Sequence, residues 1–250
     1  EVGPTLIKSG AFNPFDKNEP KDLDFLEKVD PNNWLIRSGI YQVNKSINLK
    51  GHITIERGVN LIFNKKSHFL ITGTIEILGT KTQPVKFSAQ NDVWKGFYLR
   101  SNSSKSEINH LLVENTAGLN AGILNLTGGF TIYNSDISIN ALEINQTAAE
   151  DAINIVNSKI DINDLKINGS RSDAFDCDFC VGYIYNSSID GSGGDGFDFS
   201  GSNVLLKDVL IDNVKDKAIS AGENSKLQVL DSAFNRVGVG IAAKDSSEVS

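Results

Sequence analysis

Three short segments decide the fold: 174-AFDCD-178, 196-GFDFS-200 and 218-AISAG-222. Each starts 22 residues after the one before, and the column extends to Ala152-Ile153-Asn154 upstream and Gly240-Ile241-Ala242 downstream. Apolar and polar residues alternate within them, the period of a strand with one buried face. Alternation turns Phe175 and Cys177 inward and Asp176 and Asp178 outward; the equivalent inward pairs are Ile153/Ile155, Phe197/Phe199, Ile219/Ala221 and Ile241/Ala243. A second column runs through Ile167, Ile189 and Ile211, again 22 apart, with Phe234 one step off. Between the columns stand clusters of Asn, Asp, Gly and Ser, the residues of turns. A fixed period near 20 residues built from short strands means a solenoid. The Leu-x-x-Leu-x-Leu pattern of leucine-rich repeats is missing. The spacing predicts an all-β, right-handed parallel β-helix of about nine coils, stacked about 4.8 Å apart.

Composition agrees. The chain has 250 residues, 40% hydrophobic and 22% charged, which excludes a disordered or collagen-like polymer. Its net charge is −7 and its Lys and Arg are scattered among acids, so no basic face for nucleic acid is expected. No apolar run reaches the roughly 18 residues of a membrane helix. Two cysteines are too few for a disulfide framework. Cys177-x-x-Cys180 lacks the helix of a redox motif and the further ligands of a zinc site, and Cys177 falls in the buried column.

The ends differ from the middle. Residues 1–33 lack the repeat and are expected to cap the β-helix of 34–250. Pro20 to Val29 reads as a short amphipathic helix, with early acids and apolar Phe25, Leu26 and Val29 on one side. Glu248-Val249-Ser250 opens a strand with no cap behind it, which predicts a chain truncated or continuing beyond 250, able to self-associate through that end. One irregularity lies inside: 134–139 and 157–162 match at a spacing of 23, and joining them to the main column leaves an offset of about seven residues near 160–165.

Upstream, "GHITIERGVNLIF", "FLITGTIEILGTKTQPVKFSAQ" and "WKGFYLRSNSSKSEINHLLVEN" resemble the opening coils of bacterial right-handed parallel β-helix proteins with pectate-lyase-like repeats. The resemblance implies fold far more than function, because that fold hosts lyases, hydrolases, epimerases, adhesins and inert scaffolds. It implies an extracellular or cell-envelope location. It also implies that outward carboxylate columns can hold Ca²⁺ and a uronic-acid polymer.

Those columns are the candidate site. Asp176 and Asp198 fall on adjacent rungs, Asp178 lies two residues along from Asp176, and Asp173 and Asp195 form a preceding column in which Lys217 takes the next place. Asp173, Asp176, Asp178, Asp195 and Asp198 are candidate Ca²⁺ ligands, since that ion takes six to eight hard oxygens. Asp176 and Asp198 are candidate catalytic carboxylates, and Lys217 the candidate base of a lyase. "SDAFDCD" and "GDGFDFSG" also resemble the paired-Asp segments of polygalacturonase-type hydrolases, but no Gly-His-Gly or Arg-Ile-Lys follows them. Trp94 reads as a sugar platform or a packed corner residue; Tyr183 and Tyr185 as an exposed aromatic stripe or a bulkier interior. Against all of these stands the plain alternative that polar ladders stack without doing chemistry. The sequence favours a secreted or surface scaffold, non-catalytic or ion-binding, associated with extracellular polysaccharide. The alternatives are a Ca²⁺-dependent lyase or related carbohydrate enzyme, and a structural or adhesive part of a surface assembly.

Overall fold

The computed structural model describes residues 23–101, 105–121 and 124–250. It is an all-β solenoid of about ten turns, close to the nine expected. Each full turn lays down three rungs, so the solenoid has three faces. Face 1 stacks Phe97–Arg100, Gly128–Tyr133, Asp151–Val156, Phe175–Asp178 and Phe197–Ser200 in parallel, then 219–222 and 241–243. Face 2 follows each of these rungs: 136–140, 159–163, 181–185, 203–207 and Lys226–Leu230 lie in register. Face 3 carries 142–145, 165–168, 187–190 and 209–212. Many strands run round a corner without a break, so the hydrogen-bonded ladders join into one sheet.

The apparent offset near 160–165 now has a simple origin. The 23-residue match belongs to face 2 and the Ile167 column to face 3, and both are crossed by the single strand Lys159–Ser170. That strand bends at Asp164, whose φ is 56°. Left-handed residues mark the other corners too. Asn134, Asn157, Phe179, Gly201 and Glu223 leave face 1; His110, Ala141, Asp164, Asn186 and Asp208 leave face 2; Asn115, Gln146, Gly169, Gly191 and Asn213 leave face 3. Most are Gly, Asn or Asp, which accept positive φ at least cost. Gly182 shows closer constraint: its φ is 149°, and a Cβ there would collide with the Ile160 carbonyl of the coil above.

The inward columns form one hydrophobic core along the axis, with Phe175, Cys177, Phe197, Phe199 and Ile219 fully buried. Rings stack from coil to coil, as in Phe97 on Phe130 at 4.7 Å and Phe175 beside Phe197 at 5.2 Å. Buried polar groups form ladders of their own. At the corner after face 1, backbone N–H groups of Ser135, Cys180, Ser202 and Ser225 donate to the hydroxyls of Ser158, Ser202, Ser225 and Ser247 at 2.8–3.1 Å. Cys180 stands where its neighbours carry serine, and it is bonded to Cys177. The cysteines are therefore a disulfide as well as core residues.

The expected N-terminal helix does not form. Leu26–Asp30 is a strand, antiparallel to Asn33–Ile36 at the end of face 2. An end rung carries unpaired backbone groups, and a strand satisfies them where a helix would not. Phe25 stacks on Tyr41 at 5.0 Å instead of lining a helix face. Pro20 to Asp22 lie outside the described residues. Among the described residues no helix is long and apolar enough to cross a membrane.

Candidate functional site

Face 1 brings the predicted carboxylates together. Asn154, Asp176, Asp198 and Ser220 are vertical neighbours, and Asp178 sits over Ser200. Rungs in a sheet lie about 4.8 Å apart, and two carboxylates at that distance repel by roughly 3 kcal/mol at an effective dielectric of 20. The carboxyl groups respond. Burial, reinforced by Asp178, Asp151, Asp198 and Asp173, pushes Asp176 up to about 8. Burial pushes Asp151 up to about 6, although hydrogen bonds from Thr127 and Asn154 oppose it. Asp178 is raised by burial and then by Glu223 and Asp198. Asp176 is thus a proton-holding acid near neutrality, with one oxygen accepting from Asn154 Nδ2 at 2.6 Å.

The preceding column is a structural ladder. Asp173 Oδ1 accepts the Asp195 N–H at 2.7 Å, and Asp195 Oδ1 accepts the Lys217 N–H at 2.9 Å. Lys217 Nζ lies 3.1 Å from Asp195 and 2.5 Å from Asp216. These partners raise its pKa, chiefly through the hydrogen bond that its ammonium donates to Asp216. A proton-abstracting lysine must be neutral, so Lys217 is placed against the role of base.

The donor set does not fit calcium either. Among the described residues no group of three or more His, Cys, Asp or Glu side chains is disposed to hold a metal ion. Asp173 and Asp195 each commit an oxygen to a backbone N–H, and Asp176 commits one to Asn154. Of the five carboxylates, Asp176 and Asp198 share one column of face 1, Asp178 stands in the next, and Asp173 and Asp195 precede the strands with Oδ1 held by backbone N–H groups, where calcium asks for six to eight free oxygens.

The aromatic candidates divide. Trp94 is wholly buried, stacks on Phe63 at 4.0 Å and donates Nε1–H to the Glu114 carbonyl, so it offers no platform. Tyr183 and Tyr185 point outward from face 2, with parallel rings 5.8 Å apart. Alternation puts Phe179 and Val181 on the same outer side, and Phe179, Val181 and Tyr183 are 56%, 54% and 50% exposed. These four follow Asp176 and Asp178 round the corner, so one coil carries both the acids and the apolar row.

Two features escaped the sequence reading. Phe97 pairs with Phe130, a step of 33 residues where later coils take 22 or 23, and the excess contains the hairpin Leu119–Ala121 with Leu124–Leu126. Leu119 and Leu126 pack outside face 1 on Leu70 and Tyr98. Beside them lies a cleft of about 340 Å³ whose lining includes Tyr98, Arg100, Leu126, Tyr133 and Asn154. The break in period was the available signal. Asn154 belongs to both the cleft and the acidic column, so the two are continuous.

No family model, no curated protein and no solved structure matches this chain in comparison.

Proposed function

We propose that this chain is an extracytoplasmic scaffold that binds polysaccharide along the outside of its central coils without transforming it. The observation that carries the reading is the outward row Val181, Tyr183 and Tyr185 on one rung of face 2, with exposed Phe179 at the corner that leads into it. Soluble proteins seldom leave such a row uncovered, and tyrosine offers an apolar ring for a sugar face with a hydroxyl for its rim. Adjacent outward residues on a strand are about 6.6 Å apart, so the three on the rung span about 13 Å, and the row suits an extended polymer. The Cys177–Cys180 bridge supports an oxidising compartment. Affinity electrophoresis in gels carrying different soluble polysaccharides tests the reading. Migration should be retarded by at least one polymer, and Tyr183→Ala with Tyr185→Ala should release it while the melting temperature holds. Indifference to every polymer, or retardation of the double variant equal to the parent, sinks it.

One observation favours a second reading, a glycoside hydrolase. Asp176 keeps its proton near neutrality and has a second carboxyl side chain, Asp198, on the next rung, and acid–base hydrolysis of sugars uses two such side chains. New reducing ends from a bound polymer, lost in Asp176→Asn and in Asp198→Asn, would replace the scaffold reading by this one.

A further inference from the structure

We infer that the glycan held by this coil carries free amino groups, so that the acidic end of the path takes ammonium ions rather than uronate carboxylates. This rests on the polysaccharide reading and names the polymer's chemistry.

Among the described residues, the ion pairs near the end of the aromatic row go to Asp195 and Asp216 and not to Asp176, Asp178 or Asp198. The charges that act most strongly on Asp176 and Asp178 are other carboxylates, Asp151, Asp173, Asp178, Asp198 and Glu223. The nearby Lys217 is bound to Asp195 and Asp216. An anionic polymer laid here would meet repulsion unless a metal bridged it, and the carboxylates do not converge for one. An ammonium group has weaker demands. It has three donors and needs no closed shell of six oxygens. Two N–H···O contacts of about 2.8 Å reach across rungs about 4.8 Å apart, so one ammonium can bridge Asp176 and Asp198.

A second observation points to a missing partner at the same place. Ser220 continues the outward column directly below Asp198, since Ile219 and Ala221 on either side of it are in the core. It is completely buried, and its hydroxyl has no hydrogen-bond partner. Buried hydroxyls are normally satisfied, so this one marks an incomplete polar site. Asp198 stands directly above it in the same outward column, so the open hydroxyl lies at the edge of the acidic pair. Beyond Asn154 the cleft with Tyr98 and Tyr133 gives the polymer an apolar surface at the other side of the acids.

Calorimetry on the intact chain tests this with three probes: glucosamine oligomers with free amines, the same oligomers N-acetylated, and polygalacturonate with and without Ca²⁺. The free amines should bind, with affinity falling steeply as salt is raised. N-acetylation should weaken binding by roughly tenfold or more, and so should Asp178→Asn with Asp198→Asn, provided the melting temperature is kept. Equal affinity for acetylated oligomers, or binding of polygalacturonate in preference, would overturn the inference and leave polysaccharide binding standing. Failure of all three probes, together with indifference to every neutral polymer in the gels, would remove both.

Discussion

Asp176 is the residue where the coil's geometry becomes a measurable property. Its carboxyl titrates at about 8 in the folded chain, against an ordinary value of 3.8. Below about pH 4 both folded and unfolded chains hold this proton, and the site costs nothing. As pH rises the unfolded chain releases the proton first, so stability falls with pH and the full cost is reached above about pH 8. At about 1.4 kcal/mol for each unit of displacement, the loss is on the order of a few kcal/mol. Asp151, raised to about 6, adds a smaller loss of the same sign. Asp176→Asn removes the ionisation while keeping the shape, and its amide can still pair with Asn154. Thermal melts at pH 5, 7 and 9 should show the parent losing stability steadily and the variant losing much less. Parallel slopes would mean that Asp176 is not buried among acids. That these acids share one face was legible in the sequence, because alternation and the 22-residue step fix both coordinates of every side chain. That Lys217 is tied to Asp195 and Asp216 was not, because a column places a backbone and leaves a long side chain free to choose.

At the scale of the element, the corners hold the solenoid together. The turn after face 1 buries a run of hydroxyls that accept the N–H groups of the previous coil, and Ser202 does so for Cys180 at 2.8 Å. The same hydroxyl lies 2.9 Å from the Cys177 carbonyl. Ser202→Ala leaves a buried donor and a buried acceptor short of a partner, at a cost of about 1–3 kcal/mol. Urea unfolding should give that loss, and the Cys180 amide should exchange with deuterium faster than in the parent. An unchanged exchange rate would show that the hydroxyl ladder is incidental. These corners explain what the sequence concealed about the cysteines. Cys177 belongs to a strand and Cys180 to the serine ladder, and they face each other only because the chain turns at Phe179, a left-handed residue that is not Gly, Asn or Asp. The N-terminal strand was hidden for a related reason. Residues 26–30 have the apolar spacing of a helix, but their neighbour is an open sheet edge, and pairing with it outweighs local pattern.

Over the whole molecule, each coil touches little beyond the coils above and below, so stability is close to a sum of coil and interface contributions. The chain can therefore lose one complete coil and close the gap. Phe175 pairs with Ile153 above and Phe197 below, and the same register holds for Asp176 between Asn154 and Asp198. Deleting residues 175–196 places Phe197 on Ile153 and Asp198 on Asn154 with every inward column intact. The excised coil carries Asp176, Asp178, the disulfide and the whole aromatic row. The shortened chain should retain its β-sheet circular dichroism and unfold cooperatively, yet bind none of the polymers that the parent binds. Removing 11 residues, 175–185, should instead fail to fold, because a half-step sets one face against another and misaligns the inward columns. A shortened chain that unfolds on losing the full coil would mean that the repeat is not the unit of stability. One that folds and still binds would place the binding surface elsewhere on the solenoid, whichever residues the acids and tyrosines bring together on that coil.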